Sequence, residues 1–395
     1  MKNSIVIAGG GIGGLAAALR CAAHDWDVRL FERAAAFTEV GAGIQIGPNV
    51  TRILKAWGLD KAMQAVVAFP DQLQVRQARS GAVTGRLRMG AFAAVRYGAP
   101  YATVHRADLH QLLLSAVQAT DRVQLTLNQG VADYALPPGG GLADLQVRLD
   151  DGTKLNTQAL VGADGLWSRV RIRMLDDGAP RFSGHLAYRA MLRQSTLPAA
   201  LRSQNVTVWM GSRLHVVQYP VRRGELLNLV AIVHGPEPLD LPSWDHAGNA
   251  ADVKHALGDV CPDLRALIEA VPDWRLWPLC DREPMQGAHQ QAQGRVALLG
   301  DAAHPMRPYM AQGAGMAIED ADALGRCLNM PGNDISAKLA AYAQARWQRN
   351  ARVQQRAIRN GQIFHARGLL RWGRDTSMRL LGEGLLDVPW LYNGP

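Results

Sequence analysis

Three glycines near the start of the chain, Gly9, Gly11 and Gly14, have the spacing G-x-G-x-x-G, and Glu32 follows them. In such a turn the first glycine permits a tight bend, the second lets backbone amides approach a pyrophosphate, and the third lets a helix pack closely on a strand. The helix N-terminus stabilises phosphate charge, and an acid after the next strand can accept hydrogen bonds from a ribose diol. These residue types at this spacing predict a dinucleotide-binding site.

The elements that must position these residues follow from the surrounding sequence. Apolar residues 5–8 predict a buried parallel strand, the Ala- and Leu-rich stretch to about residue 24 predicts a helix, and residues 28–31 predict a second strand. Strand, turn, helix, strand and acid therefore follow each other as in a βαβ unit, which is far more specific than glycines alone. The alternative is a structural glycine turn in another kind of α/β protein.

Later segments carry residues suited to the same ligand. Asp164 and Asp301 each follow an apolar run that predicts a strand, and a carboxylate at a strand end suits the hydroxyls of a polyol. Residues 313–315 are Gly-Ala-Gly at a predicted helix start, where backbone amides stabilise an anionic ring. Arg106, at another predicted helix start, can hold a phosphate, although a surface arginine is an equal alternative. We expect these separate segments to meet at one ligand.

The predicted secondary structure changes between residues 184 and 234, where strand patterns occur without long helices. This predicts an antiparallel sheet inserted into the α/β domain. In one of its strands, alternation places His215 and Tyr219 on the same face, where they could bracket a substrate ring. The alternative is that His215 is a satisfied core or surface histidine and Tyr219 a packing residue.

Four motifs together identify a family. They are the G-x-G-x-x-G turn with Glu32, HRADLH at 105–110, DGLWSRVR at 164–171, and GDAAHPMRPYMAQGAGMAIEDADAL at 300–324. In this order they resemble the single-component FAD-dependent aromatic hydroxylases, the group A flavoprotein monooxygenases, such as salicylate, hydroxybenzoate and 6-hydroxynicotinate hydroxylases. The resemblance covers nearly the whole chain.

The resemblance implies an α/β fold, in which a Rossmann-type FAD-binding domain carries an inserted mixed or antiparallel β-sheet substrate domain and C-terminal helices. The expected ranges are 1–70, 101–180 and 275–330 for the discontinuous FAD-binding domain, 71–100 and 181–274 for the substrate domain, and 331–395 for the C-terminal helical segment.

The resemblance also implies roles for individual residues. Glu32 would bind the FAD ribose, Asp301 the ribityl chain and Arg106 the phosphate–ribitol region, while Asp164 would lie between FAD and a transient nicotinamide site. Residues 313–316 would face the N1–C2=O edge of the flavin. The full set expected to contact the cofactor is Gly9, Gly11, Gly14, Glu32, Arg33, Gln45, Arg106, Asp164, Asp301, Pro308, Gly313, Ala314, Gly315 and Met316.

The chemistry expected of this family agrees with the motifs. One dinucleotide fingerprint suits a tightly held FAD, so NADH or NADPH would visit only transiently and deliver hydride. A flavin hydroperoxide, shielded from water, would then transfer oxygen to an electron-rich ring. Such a ring reacts best as a phenolate, so a base or strong acceptor is expected near its hydroxyl. His215, Tyr219 and Tyr309 are the predicted catalytic and substrate-contacting residues.

Departures from the family pattern leave the ring itself open. Gln45, in a Gly-rich loop at 39–49, stands where hydroxynicotinate hydroxylases can have a histidine, and Tyr309 stands where related enzymes place a substrate-contacting His or Gln. Either Arg222 or Arg223 could pair with a substrate carboxylate, although an arginine in a hairpin turn is usually solvated.

Composition narrows the partners. The net charge of +9 is spread along the chain without an aromatic–basic motif, which favours anionic small molecules over nucleic acid. Four scattered cysteines indicate a reducing cytoplasm with neither a disulfide framework nor a zinc site, and His304 has no partner at metal-ligand spacing. No apolar run is long enough to span a membrane. A monomer and a homodimer are both left open.

Two other functions remain possible at this stage. One is a reductase or dehydrogenase of the same fold that inserts no oxygen. The other is a redox sensor or FAD-binding regulator, although the chain has no recognisable effector domain.

Overall fold

The computed structural model describes residues 3–37, 42–136, 145–241, 246–248, 250–332 and 334–394. Part of the predicted glycine-rich loop, residues 39–41, lies outside these ranges.

The strands are β1 (Ser4–Ala8), β2 (Asp27–Phe31), β3 (Gly43–Ile46), β4 (Val67–Ala68), β5 (Gln72–Gln77), β6 (Val83–Arg88), β7 (Ala102–His105), β8 (Val123–Thr126), β9 (Val131–Ala135), β10 (Leu145–Leu149), β11 (Lys154–Thr157), β12 (Ala159–Gly162), β13 (Arg181–Arg193), β14 (Val206–Met210), β15 (Leu214–Val221), β16 (Leu226–His234), β17 (His246–Gly248), β18 (Trp274–Asp281), β19 (Ala292–Gln293) and β20 (Val296–Leu298).

The helices are α1 (Ile12–Ala22), α2 (Pro48–Ala56), α3 (Asp60–Val66), α4 (Gly90–Tyr97), α5 (Arg106–Gln118), α6 (Arg169–Leu175), α7 (Ala250–Leu257), α8 (Pro262–Glu269), α9 (Gly313–Leu328), α10 (Ile335–Phe364), α11 (Gly368–Leu381), α12 (Glu383–Leu386) and α13 (Pro389–Tyr392).

A six-stranded sheet with the order β19-β20-β12-β1-β2-β8 forms the centre of the nucleotide-binding part. Strand β1 pairs in parallel with both β2 and β12, and Ile5, Val6 and Ile7 are fully buried because helices and further chain cover both faces. Helices α1 and α9 pack against each other over this sheet. The predicted Rossmann-type architecture is confirmed.

The inserted part is an eight-stranded sheet with the order β17-β18-β13-β16-β15-β14-β5-β6. Its pairs are antiparallel except for β14 with β5, which run in parallel, so the sheet is mixed. Strand β18 hydrogen-bonds to β13 along its length. The boundary expected at residue 275 therefore falls inside a strand, and the inserted sheet continues to Asp281.

A buried ionic network fastens α9 to α10. The carboxylate of Asp320 lies 2.5 Å from Nε2 of His304 and 2.7 Å from Nε of Arg346, while Arg346 also lies 2.9 Å from Glu319. Burial would raise the pKa of Asp320, but His304 and Arg346 together hold it below its usual value. His304 is therefore engaged by an acid, and the network fixes the helix whose first turn carries Gly313.

Candidate active site

The glycine turn has the geometry that a dinucleotide requires. Gly9 has a φ of +100°, which side chains rarely adopt, and a Cβ on it would collide with the carbonyl of Ala163. A Cβ on Gly14 would collide with the carbonyl of Gly9, because α1 packs directly on the turn. Around Gly11, by contrast, no heavy atom lies within 4 Å of such a Cβ. The turn is therefore closely packed at Gly9 and Gly14 and open at Gly11, where a pyrophosphate can approach the backbone.

Glu32 stands at the end of β2 beside this turn. Its carboxylate accepts hydrogen bonds from the backbone amides of Gly10, at 2.7 Å, and Ala34, at 2.9 Å. These bonds fix the carboxylate at the wall of a groove of about 440 Å³. The predicted cofactor residues that line the groove are Gly9, Gly11, Glu32, Arg33, Arg106 and Asp164.

Asp164 is held by the helix that follows it. Its carboxylate accepts hydrogen bonds from Oγ of Ser168, at 2.5 Å, and from the backbone amide of Arg169, at 2.8 Å. Burial raises the pKa of Asp164, and these hydrogen bonds act in the opposite direction. Asp164 therefore fastens the start of α6 as well as lining the groove.

The start of α9 forms a second part of the nucleotide site. Asp301 is exposed in front of it, and its side chain accepts no hydrogen bond among the residues that the structure describes. Gly313 has open space where a Cβ would stand, except for Asp301 at 3.9 Å, whereas Gly315 packs closely on Val50. The side chain of Met316 is fully buried with Val353 and Leu391, so it points away from this space.

The groove and the start of α9 together suit FAD. The open glycine turn and the N-termini of α1 and α9 suit the phosphates of a long anionic dinucleotide. The fixed carboxylate of Glu32 and the free carboxylate of Asp301 suit its sugar and ribityl hydroxyls. The residues present therefore fit FAD.

A second cavity, of about 530 Å³, lies between the inserted sheet and the C-terminal helices. Its walls are mainly apolar and come from β5, β14 and β15 on one side and from α10 to α12 on the other. Four predicted cofactor or catalytic residues line it: Gln45, His215, Pro308 and Tyr309. Gln45 accepts a hydrogen bond of 2.6 Å from the hydroxyl of Tyr101, which fixes its amide.

His215 and Tyr309 are neighbours in this cavity. Their ring centroids are 5.2 Å apart, and the two side chains are 2% and 4% exposed. Burial, helped by His185, lowers the pKa of His215 to about 3, while burial raises the pKa of Tyr309 above its usual value. Near neutral pH the cavity thus contains an uncharged imidazole, which is a base, and an uncharged phenol, which is a hydrogen-bond donor.

Tyr219 occupies a different place from the one predicted. It lies on the same face of β15 as His215, but its hydroxyl donates a 2.6 Å hydrogen bond to the carbonyl of Gly43. Its ring packs with Val206 and Val221, and it does not line the described cavity. His215 and Tyr219 therefore do not both line the described cavity, because the Tyr219 hydroxyl is bonded to Gly43 and its ring packs against residues of the inserted sheet.

Arg222 and Arg223, the arginines of the predicted hairpin turn, lie away from the second cavity. Both guanidinium nitrogens of Arg222 that face Asp108 lie 2.8 Å from its carboxylate, in a two-bond ion pair. Neither Arg222 nor Arg223 lines the second cavity. A role for Arg222 in binding a substrate carboxylate is therefore not supported.

Three histidines beside His215 were missed by the sequence patterns. His185 on β13, His234 at the end of β16 and His365 after α10 lie together with His215 and Tyr309. We call these five residues the His–Tyr cluster. Only the strand pairing of His185 with His234 and the docking of α10 bring them together, and neither was visible as a local pattern.

The fold, the nucleotide-binding groove and the mainly apolar second cavity are those of a flavoprotein. The family described as FAD binding domain matches residues 2–357. The chain is 36% identical to the 3-hydroxybenzoate 6-hydroxylase of Polaromonas naphthalenivorans over 391 residues, covering 98% of this chain and 95% of that protein. It is 35% identical to the 6-hydroxynicotinate 3-monooxygenase of Bordetella bronchiseptica, covering 90% of each chain.

Solved structures agree. A salicylate hydroxylase–substrate complex superposes with a TM-score of 0.83 at 25% identity, covering 99% of this chain and 95% of the other. The Klebsiella pneumoniae protein HpxO, complexed with FAD and uric acid, superposes with a TM-score of 0.84 at 26% identity, covering 98% and 94%. The chain belongs to the FAD-binding family of single-component aromatic hydroxylases.

It follows that the protein is an FAD-dependent monooxygenase with NAD(P)H as electron donor, and that the reductase and regulator alternatives are not favoured. Within the described part of the chain, no helix has both the length and the apolar character needed to cross a membrane.

Proposed function

We propose that this protein hydroxylates a small aromatic or pyridine carboxylate that already carries a ring hydroxyl. The single observation that carries the proposal is the pairing of neutral His215 with neutral Tyr309 in a mainly apolar cavity. Relatives act on 3-hydroxybenzoate and 6-hydroxynicotinate, which are substrates of this kind. The cavity volume of about 530 Å³ is ample for one such ring.

For the substrate hydroxyl, His215 is the proposed base. Its Nδ1 is taken by His365 at 2.8 Å, which leaves Nε2 for a ligand in the cavity. Removing the hydroxyl proton would make the ring a phenolate and hence a stronger nucleophile. With Nδ1–H of His185 donating to its oxygen, Tyr309, kept protonated by burial, would donate its own proton in a hydrogen bond and orient the ring.

For the cofactor, the proposed contacts are those of the groove and of the α9 start. Glu32 would bind the ribose, Arg106 the phosphate region and Asp301 the ribityl hydroxyls. When bound and reduced by NAD(P)H, FAD supplies the oxygen atom from O2 that the ring receives. The apolar walls of the second cavity would exclude water from that step.

The cellular setting is part of the proposal. All four cysteines are unpaired, which supports the expected cytoplasmic location, where thiols stay reduced. The protein would act there on aromatic acids as a monomer or homodimer.

The proposal is tested with a panel of salicylate, hydroxybenzoates and hydroxynicotinates. We expect the true substrate to stimulate NADH or NADPH oxidation. Its product should be heavier by one oxygen atom or, if the carboxylate is also lost, should have gained one oxygen atom and lost CO2. If no panel member stimulated oxidation or gave a hydroxylated product, the proposed function would be rejected.

A further inference from the structure

Three imidazoles form an unbroken hydrogen-bonded chain from the second cavity toward the surface. Nδ1 of His215 lies 2.8 Å from Nε2 of His365, and Nδ1 of His365 lies 2.9 Å from Nε2 of His234. His215 lines the cavity, His365 is 7% exposed, and His234 is partly exposed. The chain therefore has one end at the candidate substrate and the other at solvent.

The proton count of this chain gives it a direction. A neutral imidazole has one N–H and one lone pair, so His365 must accept from one neighbour and donate to the other. All the hydrogen bonds of the chain then point in one direction, either from His215 toward His234 or the reverse. Moving one proton across every hydrogen bond reverses that direction. Such a chain can take a proton at one end and release another at the other.

The charges around the chain discourage a proton from resting on it. Burial lowers the pKa of His365 to about 2, and His215, His185, His234 and Arg374 add to the effect. At the outer end, burial and the cations Arg213 and Arg367 lower the pKa of His234. An extra proton therefore does not rest on any ring of the chain, because each ring holds it poorly.

We propose that His215, His365 and His234 form a proton relay that carries the proton of the substrate hydroxyl from the second cavity to solvent. The proposal rests on the proposed function. The substrate O–H bond breaks and an Nε2–H bond forms on His215. Its Nδ1 proton moves to His365, the Nδ1 proton of His365 moves to His234, and His234 gives one proton to water. No atom is oxidised or reduced.

His185 and Tyr309 lie beside the relay and hold it in place. The phenolic oxygen of Tyr309 is 2.7 Å from Nδ1 of His185, and the His185 ring centroid lies 4.4 Å from that of His234 and 4.9 Å from that of His365. His185 is thus a positioning residue. His365 and His234 act through His215 and are not themselves catalytic residues.

A metal ion is the competing use of these rings. One nitrogen each from His185, His234 and His365 can be chosen so that all three lie within 4.8 Å of one another. Two nitrogens on one tetrahedral zinc stand about 3.3 Å apart, since each Zn–N bond is about 2.0–2.1 Å. The observed separation of 2.9 Å between His234 and His365 is a hydrogen-bond distance and favours the relay.

The test measures proton release when the FAD-loaded enzyme is mixed with a panel acid that it binds, in weakly buffered solution containing a pH-indicator dye. His234→Ala, at the partly exposed end, should slow proton release and hydroxylation about tenfold or more, out of the 10²–10⁴ that acid–base catalysis commonly contributes. Added imidazole should restore both rates. The equilibrium affinities of His234→Ala for FAD and for the acid should equal those of the wild type. His289 is an exposed histidine outside the cavity, so the control variant His289→Ala should release protons and hydroxylate at the wild-type rates.

The variant His365→Gln distinguishes a broken relay from a loss of activity caused by misfolding. His365→Gln keeps a polar side chain between the two rings but cannot pass a proton on, so it should be slow and should not be rescued by imidazole. The relay is rejected if His234→Ala releases protons at the wild-type rate, or if its slow rate ignores imidazole.

Three outcomes have separate meanings. Stoichiometric zinc or another metal in the purified holoenzyme, lost in His185→Asn, would replace the relay with a metal site. If the wild type bound no hydroxylated aromatic acid at all, the proposed function and the relay would both be rejected. Wild-type turnover with a normal His234→Ala variant would reject the relay alone.

Discussion

The phenolic oxygen of Tyr309 lies 2.7 Å from Nδ1 of His185, although the two residues are 124 positions apart in the chain. This contact joins the segment after the six-stranded sheet to the inserted sheet. Close packing supports it, since a Cβ on Gly361 of α10 would come within 2.7 Å of the Tyr309 ring. The candidate active site is therefore assembled from both sheets and the C-terminal helices.

Tyr309→Phe should slow hydroxylation while leaving FAD affinity unchanged. The variant removes the hydroxyl proposed to orient the substrate and leaves a buried nitrogen of His185 unpaired, which costs about 1–3 kcal/mol of stability. Steady-state rates, flavin titration and chemical unfolding would measure the three effects. Wild-type hydroxylation rates in Tyr309→Phe would contradict the assigned role.

His215→Ala should lower the hydroxylation rate by about 10² or more, because the proposed base for the substrate hydroxyl is lost. Tyr219→Phe is the matched comparison on the same strand face. Its hydroxyl serves Gly43, so it should affect stability more than turnover. Both variants should retain FAD, as judged by the visible flavin spectrum. Equal turnover losses in the two variants would show that His215 has no special part.

Asp301→Asn should weaken FAD binding about ten- to a hundred-fold, the range expected for losing hydrogen bonds to a charged group. Asp273→Asn, at another exposed acid, serves as the control and should bind FAD normally. Flavin fluorescence during reconstitution of the apoprotein measures both affinities. Unchanged affinity in Asp301→Asn would remove Asp301 from the cofactor site.

The His–Tyr cluster makes stability depend on pH. Burial lowers the folded pKa of His185 to about 4, of His215 to about 3 and of His365 to about 2, against 6.5 for an ordinary histidine. Below about pH 6.5 the unfolded chain therefore binds more protons than the folded protein, so stability falls as the pH falls toward the folded values. Each proton taken up on unfolding corresponds to about 1.4 kcal/mol per pH unit.

Denaturant unfolding between about pH 7.5 and 5.5 measures this slope. His365→Gln, which cannot titrate, should lose less stability over the same interval than the wild type. Identical slopes would show that His365 takes up no extra proton on unfolding.

The nucleotide site could be predicted from sequence because its parts are local. Gly9, Gly14 and Glu32 belong to one βαβ unit, in which the order of strand, turn and helix fixes their positions. The reaction space could not be predicted in the same way. Alternation in β15 placed Tyr219 on the correct face, but only the extent of the cavity decides that His215 lines it and Tyr219 does not.

The remaining histidines depend on relations between distant elements. His185 meets His234 through the register of β13 with β16, and His365 reaches them because α10 runs on to Phe364. A single histidine on a strand or after a helix carries no signal of such neighbours. Only the packed structure identifies the cluster.

Isotopic labelling of the product shows directly whether the protein inserts an oxygen atom from O2 into the ring. The FAD-loaded enzyme is supplied with NADH or NADPH, the panel acid that stimulates oxidation, and O2 enriched in its heavy isotope. We predict that one heavy oxygen atom appears in the hydroxylated ring, at a yield close to the nicotinamide consumed. A product without the label, or nicotinamide oxidation that yields only hydrogen peroxide with every acid, would contradict the account.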